Sequence, residues 1–329
     1  MRILVTGTAG FIGFHLAGRL LRDGHEVVGL DSFTDYYSVR LKRDRHAELL
    51  AAHGASGRFR FYEKDMCDRS ALTVVFEETR PDCVVNLAAQ PGVRYSITHP
   101  YAYQTRNVEG FLNVLECCRH APQKPRLVYA SSSSVYGGNT ALPFSEDQAV
   151  DHPVSLYAAT KKANELMAHV YTHLYGIQTV GLRFFTVYGP WYRPDMAMYL
   201  FADAMVKGRP IQVFNFGEMR RDFTYVDDIV DGIVRCVQAQ TFAPYEIFNI
   251  GNNRSERLMD MIGLLAAELG VTPKVEFLPM QDGDVPATWA NIDKLRAKTG
   301  YEPTTPISAG IPKFAKWFLE YAMKQQERT

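Results

Sequence analysis

The stretch that decides the fold is Arg2-Ile-Leu-Val-Thr-Gly-Thr-Ala-Gly-Phe-Ile-Gly13, in which an apolar run leads into three regularly spaced glycines. An apolar run bounded by a glycine turn is typical of a strand that is buried on both faces of a parallel sheet. The spacing of Gly7, Gly10 and Gly13 suits a tight turn into a helix whose N-terminus receives a pyrophosphate. We therefore predict a strand, a phosphate-binding turn and a helix.

Short apolar runs alternate with amphipathic stretches through the first half of the chain. This order predicts an α/β fold with a Rossmann-type, doubly wound parallel sheet, whose ligand lies beyond the carboxyl ends of the strands. The predicted strands are Arg2–Thr6, Glu26–Asp31, Arg58–Glu63, Cys83–Asn86, Arg126–Ser131 and Gln178–Phe184. The predicted helices are Phe11–Asp23, Ser70–Thr79, Tyr103–His120 and Leu156–Tyr175.

The alternation ends after Tyr188-Gly-Pro190, where prolines and aromatic residues become frequent. Later predicted elements are helices at Tyr225–Ala239, Ser255–Leu269 and Ile311–Lys324, and a strand at Tyr245–Ile250 that we expect to return to the main sheet. We predict a dinucleotide-binding domain over residues 1–187, with returning elements at about 225–250. A smaller mixed α/β lobe over residues 188–329 is expected to bind the substrate, with an interleaved boundary.

Composition and charge exclude several classes of protein. The 329 residues are 47% hydrophobic and 22% charged, with 36 basic and 36 acidic side chains, so no overall field attracts nucleic acid or an anionic membrane. The five cysteines are odd in number and lack metal-ligand spacing, so we expect reduced core residues, no metal and a cytoplasmic protein. Strand-forming residues begin at once and no apolar run is long enough for a membrane span, so we expect neither a signal peptide nor a span.

Residues after three predicted strands extend the dinucleotide site. Asp31 ends the second strand, about 20 residues after the glycine turn, where a carboxylate binds the adenosine ribose hydroxyls and repels a 2′-phosphate. This favours NAD over NADP. The alternative for Asp31 is a solvated residue at the end of a strand. Asp65-Met66 is expected to bracket the adenine, and the small residues of Asn86-Leu-Ala-Ala-Gln90 suit backbone against a cofactor. A plain strand end is the alternative for each.

Tyr157 and Lys161 stand four residues apart in a predicted helix, so their phenol and ammonium share one face. A nearby cation lowers the pKa of a phenol, which then serves as a base for the oxidation of an alcohol. We expect Lys161 also to bond the nicotinamide ribose, and Ser132 to bond the reacting oxygen. Tyr157 alone would suggest a core aromatic residue, and Lys161 alone a surface charge. Their combination with the serine run predicts catalysis. The further hydroxyls of Ser131–Ser134 indicate a second polar group on the substrate.

Segments along nearly the whole chain resemble the NAD-dependent epimerase/dehydratase family, the extended short-chain dehydrogenases/reductases. They are Thr6-Gly-Thr-Ala-Gly-Phe-Ile-Gly13, Asn86-Leu-Ala-Ala-Gln90, Ser132-Ser-Ser-Val-Tyr-Gly137, Tyr157-x-x-x-Lys161 and Arg221-Asp-Phe-Thr-Tyr-Val-Asp227. Matches to the nucleotide-sugar epimerases are more specific and comprise Ala88-Ala-Gln-Pro-Gly-Val-Arg-Tyr-Ser96, Arg183-Phe-Phe-Thr-Val-Tyr-Gly-Pro190 and Trp191-Tyr-Arg-Pro-Asp-Met-Ala197. The predicted cofactor-binding residues are Gly7, Gly10, Phe11, Ile12, Gly13, Asp31, Asp65, Met66, Leu87, Ala88, Ala89, Gln90, Asn107, Tyr157 and Lys161.

The resemblance implies epimerisation at C4 of a UDP-hexuronic acid, UDP-glucuronate to UDP-galacturonate, through a 4-keto intermediate and without net redox. A 4-keto uronic acid is a β-keto acid, which loses CO2 when its carboxylate bond aligns with the carbonyl π system. The enzyme must therefore hold the carboxylate out of that alignment. Thr186 stands where neutral-sugar epimerases and decarboxylases carry asparagine. Together with Ser133 and Ser134 it is expected to clamp the carboxylate by neutral hydrogen bonds.

Four further residues are expected to hold the nucleotide and the sugar. Arg221 matches the diphosphate-binding arginine of the family, and Asp284 matches the uridine-ribose acceptor. Arg94 and Arg193 are the other cations, and the sequence leaves open whether Arg193 faces the sugar or the diphosphate. A surface salt bridge is the alternative for each arginine. The predicted substrate-binding residues are Arg94, Ser132, Ser133, Ser134, Thr186, Arg193, Arg221 and Asp284.

Two departures and several alternatives accompany the resemblance. Gln281 stands where many neutral-sugar epimerases have a second diphosphate arginine, and Tyr192 where relatives often have glycine. A 4,6-dehydratase would need an acid–base pair in place of Ser132-Ser133. Thr186 argues against a decarboxylase, which stays an alternative beside a 4-epimerase of neutral or amidated UDP-sugars and a non-catalytic relative. The two long helices predicted before and after the serine run pair across a two-fold axis in the family, which implies a homodimer.

Overall fold

The protein is an α/β structure of fourteen strands and twelve α-helices within the part that the computed structural model describes, residues 1–281 and 284–326. The strands are β1 (Arg2–Thr6), β2 (Glu26–Asp31), β3 (Phe59–Glu63), β4 (Cys83–Asn86), β5 (Arg126–Ser132), β6 (Thr179–Phe184), β7 (Thr186–Tyr188), β8 (Ile211–Val213), β9 (Arg220–Arg221), β10 (Phe223–Tyr225), β11 (Tyr245–Ile250), β12 (Glu256–Arg257), β13 (Val275–Phe277) and β14 (Ala287–Thr288). The helices are α1 (Phe11–Arg22), α2 (Val39–His53), α3 (Arg69–Thr79), α4 (Tyr95–Thr98), α5 (Pro100–Tyr103), α6 (Gly110–His120), α7 (Leu156–Tyr175), α8 (Ala197–Val206), α9 (Val226–Gln238), α10 (Leu258–Leu269), α11 (Asp293–Thr299) and α12 (Ile307–Gln326).

Seven parallel strands form the central sheet in the order β11-β6-β5-β4-β1-β2-β3. Thr6 at the end of β1 pairs with Leu30 on one side and with Asn86 on the other, so three strand ends lie level. The chain changes direction across the sheet between β1 and β4, and such a switch point leaves a crevice beyond the strand ends. The β1 residues Ile3, Leu4 and Val5 are fully buried, as expected with helices on both faces. The predicted Rossmann fold is confirmed.

Local sequence signals set the ends of the helix that carries the predicted catalytic pair. The Ser155 hydroxyl accepts a hydrogen bond from the Ala158 backbone N–H and caps the start of α7. Gly176, with a left-handed φ of 69°, ends it. The helix spans Leu156–Tyr175, the range predicted. Tyr157 and Lys161 therefore lie in its first two turns, next to the carboxyl end of β5.

The second half of the chain returns to the main sheet and also builds small sheets of its own. β11 pairs in parallel with β6, with Tyr245 opposite Thr179. Outside the main sheet, β7 pairs with β10, β8 with β13, and β9 lies between β12 and β14. The division at residues 187 and 188 stays a prediction. Two residues of the predicted uridine-binding segment, Asp282 and Gly283, lie outside the described residues.

Several predicted bounds are wrong. The predicted helix at Tyr103–His120 is divided into α5, a π-helical segment at Gln104–Glu109 and α6. The helix predicted from Ser255 starts at Leu258, since β12 pairs with β9 just before it. The last helix starts at Ile307, four residues before its predicted start. Helices α2, α4, α8 and α11 lie outside the predicted helices. None of the helices in the described part is long and apolar enough to cross a membrane.

Candidate active site

A cleft of about 1130 Å³ lies beyond the carboxyl ends of the central strands. Its walls come from both halves of the chain, from the glycine turn after β1 to the segment that precedes β14. The structure brings into this one cleft every predicted site residue except Asn107. A long cleft with a polar and an apolar lining is the usual form of a site for an extended cofactor and its substrate.

The glycine turn leaves the N-terminus of α1 open to the cleft. Gly7 has a φ of 77°, and a Cβ atom at Gly13 would lie 2.1 Å from the Gly7 carbonyl oxygen, so the turn needs glycine at both positions. Gly10 is the N-cap of α1 and makes no side-chain cap, and the first turn has no acidic residue. Phe11 and Ile12 at the helix start line the cleft. Free backbone N–H groups at a helix N-terminus fit a dinucleotide pyrophosphate.

Asp31 ends β2 at the edge of the cleft, where a ribose acceptor was predicted. Its carboxylate accepts hydrogen bonds from the backbone N–H groups of Ala9, at 3.0 Å, and Phe33, at 2.9 Å. The same carboxylate therefore shapes the glycine turn and faces the cleft. Asp65 accepts a hydrogen bond from the Cys67 backbone N–H at 2.9 Å, and it lines the cleft beside the buried Met66.

Lys42 on α2 belongs to the same wall but was not predicted. Its ammonium donates to the Thr34 hydroxyl at 2.8 Å, and its burial lowers the pKa to about 8, against the charge of Asp31, which raises it. Arg106 also lines the cleft and donates to the Gln90 side-chain oxygen at 2.8 Å. The cleft thus collects cations although the whole chain is neutral, which suits a ligand with phosphate groups.

Asn107, predicted to bind the cofactor, lies behind the wall of the cleft rather than in its lining. Its side chain accepts from the Gln90 backbone N–H at 2.7 Å and donates to the Thr160 hydroxyl at 3.1 Å. Its own carbonyl oxygen accepts from the Asn164 amide at 2.6 Å. Asn107 therefore joins the end of β4 to α7 in the structure, and the local π-helical turn presents it for these contacts.

Ser132, Tyr157 and Lys161 line the same cleft. The Lys161 ammonium donates to the Ala130 carbonyl oxygen at 2.9 Å, and its burial lowers the pKa to about 8. Burial raises the pKa of Tyr157, whereas a hydrogen bond from Ser132 and the positive charge of Arg193 lower it. A phenol in these surroundings needs further positive charge beside it to become a base near neutral pH.

A buried ion pair fixes the helix of Tyr157 and Lys161 against the sheet. Glu165 lies on the next turn of α7. Its carboxylate accepts hydrogen bonds from Nε and from one Nη of Arg183 on β6, both at 2.9 Å. It also accepts a hydrogen bond from the Ser131 hydroxyl at 2.6 Å. Both charged side chains are almost fully buried, and their two parallel hydrogen bonds restrict the relative position of the partners. The serine run and the Tyr–Lys helix are therefore held in one register.

Several hydroxyl groups line the same cleft. Thr186 starts β7, and its backbone N–H donates to the Asp222 carbonyl oxygen at 3.1 Å. Ser134 donates to the Ser132 hydroxyl oxygen at 2.9 Å, and Ser133 lines the cleft beside it. Thr186 and the three serines are thus in one lining, as predicted from their separate positions in the sequence. Their neutral donors suit a polar substituent of a sugar.

Two of the predicted anion-binding arginines form ion pairs within the protein. Arg94 binds Asp284 across the mouth of the cleft at 2.9 Å, so the predicted uridine-ribose acceptor has a protein partner. Arg193 binds Asp195 through two nitrogen atoms. Arg221 donates to backbone carbonyl oxygens and lies in the cleft, where burial lowers its pKa.

Gln281, one of the two departures from the family pattern, also lines the cleft. Its buried side-chain oxygen has no hydrogen-bond partner within the described part of the chain. Buried oxygens of this kind usually receive a donor from a ligand or a water molecule. Tyr192, the other departure, is buried beside Phe11, with the ring centroids 5.0 Å apart.

The fold and the site together define a dinucleotide-dependent enzyme of the Tyr–Lys–Ser type, in which an open glycine turn and an acidic strand end lie beside the catalytic group. The chain belongs to the NAD dependent epimerase/dehydratase family, whose model matches residues 3–251. Protein CapI of Staphylococcus aureus is 49% identical over 98% of this chain and 100% of its own length. A probable UDP-glucuronate 4-epimerase of Rhizobium meliloti is 44% identical over 97% of both chains. The crystal structure of UDP-glucuronic acid 4-epimerase from Bacillus cereus, in complex with UDP-glucuronic acid and NAD, has a TM-score of 0.90 at 34% identity, over 98% of this chain and 100% of that one.

Proposed function

We propose that the protein catalyses NAD-dependent epimerisation at C4 of UDP-glucuronate, giving UDP-galacturonate. The observation that carries the proposal is the meeting of Ser132, Tyr157 and Lys161 with the hydroxyl wall of Thr186 in one cleft. Relatives named for this activity match over nearly the full chain, and the B. cereus enzyme binds both UDP-glucuronic acid and NAD in a similar fold.

The cofactor-binding residues are those of the glycine turn and of the β2, β3 and β4 strand ends, with Asp31 on the adenosine ribose. NAD+ bound there accepts a hydride from C4 of the sugar and later returns it. Tyr157 takes the proton of the C4 hydroxyl group as hydride leaves, and gives a proton back in the second half of the reaction. Lys161 stabilises the phenolate by its charge, and Ser132 hydrogen-bonds the reacting oxygen.

The 4-keto sugar is expected to turn about its phosphate linkage and present its other face before hydride returns. During this step the C6 carboxylate must stay out of alignment with the C4 carbonyl, because alignment releases CO2. Thr186, Ser133 and Ser134 are proposed to hold it by hydrogen bonds. Neutral donors can do so without the cost of burying another charge.

The remaining substrate contacts are assigned to charged residues at the outer end of the cleft. Arg221 is proposed to bind the diphosphate and Asp284 the uridine ribose. Arg94 forms an ion pair with Asp284 in the structure. Binding of the nucleotide to Asp284 is therefore expected to rearrange this ion pair. Arg193 is proposed to face the sugar or the adjoining phosphate, since its positive charge acts on Tyr157.

The test is incubation of the purified protein with UDP-glucuronate and no added cofactor, followed by proton NMR. UDP-galacturonate without CO2 is the expected product, and its formation also means that NAD+ is carried through purification. UDP-pentose with CO2 would mean a decarboxylase and would refute the carboxylate clamp. If supplied NAD+ produces no change, the uronate assignment fails and neutral or amidated UDP-sugars are tested next.

We also propose that the protein is a homodimer. Leu166, Val170 and Leu174 lie four residues apart on α7 and are exposed by 56%, 46% and 60%, and Leu112 of α6 is exposed by 38%. Such a stripe suits burial against a second copy in a two-fold four-helix bundle. Light scattering should give a dimer for the native chain and a monomer for Val170→Glu. A monomeric native chain would refute the proposal. The five free cysteines support a cytoplasmic location.

A further inference from the structure

Arg45 of α2 is a fully buried arginine that the catalytic scheme does not use. All five of its N–H donors are bonded. Nη1 donates to the Ala9 carbonyl oxygen at 2.9 Å and to the Tyr37 hydroxyl at 2.8 Å. Nε and Nη2 both donate to the Trp191 carbonyl oxygen, at 3.2 and 2.6 Å, and Nη2 also reaches the Tyr192 carbonyl oxygen at 3.3 Å. A guanidinium offers five donors, so its hydrogen-bonding capacity is completely used.

The backbone acceptors belong to two segments that each contribute residues to a wall of the cleft. Ala9 lies in the glycine turn, whereas Trp191 and Tyr192 lie in the loop after β7. Trp191 has a φ of 61°, a left-handed conformation that is unusual for a bulky residue and needs support from its surroundings. Its carbonyl oxygen takes two of the five bonds. Within the described residues Arg45 forms no ion pair, so backbone carbonyl dipoles rather than a carboxylate face its charge.

The residue directly after this held segment is Arg193. Its guanidinium is fixed separately, since Asp195 binds it through two nitrogen atoms and the Tyr36 hydroxyl donates to Asp195 at 3.1 Å. Arg45 therefore holds the two backbone carbonyl groups that precede Arg193, and Asp195 holds the Arg193 side chain. The positive charge of Arg193 acts on Tyr157, so a shift of this loop would move a charge relative to the catalytic base.

We propose that Arg45 is a positioning residue for the reaction, which acts through Arg193 by holding the Trp191–Tyr192 backbone against the glycine turn. The proposal rests on the function proposed above. It requires the planar fork of arginine, because lysine has three donors on a single atom and cannot reach carbonyl oxygens on both walls. A misplacement of about 1 Å at a positioned group can cost about 100-fold in rate.

The test is a double-mutant cycle of Arg45→Gln and Arg193→Gln, with kcat/KM for UDP-glucuronate measured per NAD-loaded subunit. The dissociation constant of UDP-glucuronate, measured by calorimetry, gives a second cycle that needs no turnover. Arg43→Gln is the matched control, because Arg43 lies on the same helix, is 57% exposed and is outside the cleft lining. Arg45→Lys retains the charge and replaces Arg45→Gln in the cycle if the latter variant does not fold.

Each Arg45 variant should lower kcat/KM by about 10- to 100-fold, while the control stays at the native value. The double variant should fall no more than about threefold below Arg193→Gln alone, since residues that act through each other are not additive. If the two losses multiply, or if Arg45→Lys has native activity, the positioning role is wrong. If the native protein does not convert UDP-glucuronate, the proposed function is refuted instead. The double-mutant cycle is then measured with the UDP-sugar that the protein does convert.

Discussion

At the proposed cofactor end of the cleft, the glycine turn and the acidic strand end belong to one short stretch of chain, whereas the proposed sugar end is lined by side chains from widely separated segments. The glycine turn and Asp31 lie within a single strand–helix–strand unit, and their hydrogen bonds run between them. Thr186, Arg221 and Asp284 reach the opposite wall from three later segments. A substitution at the cofactor end should therefore affect NAD binding, whereas a substitution at the sugar end should alter which product forms. Tyr157 lies where the two ends meet.

Replacement of Tyr157 by phenylalanine should have the largest effect, because it removes the proton acceptor that both half-reactions share. We expect kcat to fall about 1000-fold, in the range found for general bases. NAD content and UDP-glucuronate affinity should stay near the native values. Steady-state kinetics and calorimetry measure these quantities, and a loss of less than about tenfold would assign the base to another residue.

Replacement of Lys161 by methionine should lower kcat by about 100-fold and move its rising pH limb upward, because the phenolate loses its cation. The same change should stabilise the unliganded protein at pH 7. Burial lowers the pKa of Lys161 to about 8, below its usual value of 10.5. The native state thus binds fewer protons between these two values, and its stability rises with pH across that window.

The stability gain of this variant should therefore be largest below pH 8 and vanish above about pH 10.5. Thermal unfolding of the NAD-free proteins at pH 7 and pH 10 measures the difference. A variant with less stability than the native protein at pH 7 would show that the ammonium is not destabilised by burial.

Replacement of Gly7 by alanine tests the cofactor end alone. A Cβ atom there would lie 2.9 Å from the Ala88 backbone nitrogen, and the φ of 77° disfavours a side chain. Bound NAD per subunit should fall about tenfold at equal free NAD, because left-handed strain costs about 1 kcal/mol or more. Gly138→Ala is the control, since nothing lies within 4 Å of its Cβ position. Native NAD content in the Gly7 variant would contradict the turn's role.

Replacement of Thr186 by valine tests the sugar end alone and should have the smallest effect on rate, about threefold to tenfold for one lost hydrogen bond. The product should change instead, with CO2 and UDP-pentose appearing beside UDP-galacturonate. Thr73→Val on the exposed face of α3 is the control. Carbon dioxide release and NMR measure the partition, and an unchanged product ratio would remove Thr186 from the clamp.

The elements near the cofactor could be predicted because their signals are local. Residues Arg2–Thr6 and Leu156–Tyr175 have the predicted bounds, set by an apolar run in one case and by Ser155 and Gly176 in the other. The cleft also collects the predicted residues from both halves of the chain. Their spatial agreement follows from the parallel sheet, which brings the carboxyl ends of its strands to one edge.

Helix α2 could not be predicted from hydrophobic periodicity. Its buried positions are Leu41, Lys42, Arg45 and Leu49, so half of its inward face carries charged side chains. Charged residues at these positions are typical of a solvent-exposed face. The partners of Lys42 and Arg45 are mostly backbone oxygens of other segments, which leave no mark on the sequence. The cofactor-binding role of Asn107 stays a prediction, since its side chain bonds the backbone of Gln90, which lines the cleft, while Asn107 itself lies behind that lining.

The open N-terminus of α1 has a consequence for how the protein exists between turnovers. Its first backbone N–H groups have no side-chain cap, so a pyrophosphate bound at the proposed site would complete the helix as a capping residue does in another protein. An epimerase returns its hydride to the same substrate and never needs to exchange the dinucleotide. Tight retention then carries no kinetic penalty, and the folded chain and its cofactor can be expected to unfold together at a temperature that rises with free NAD.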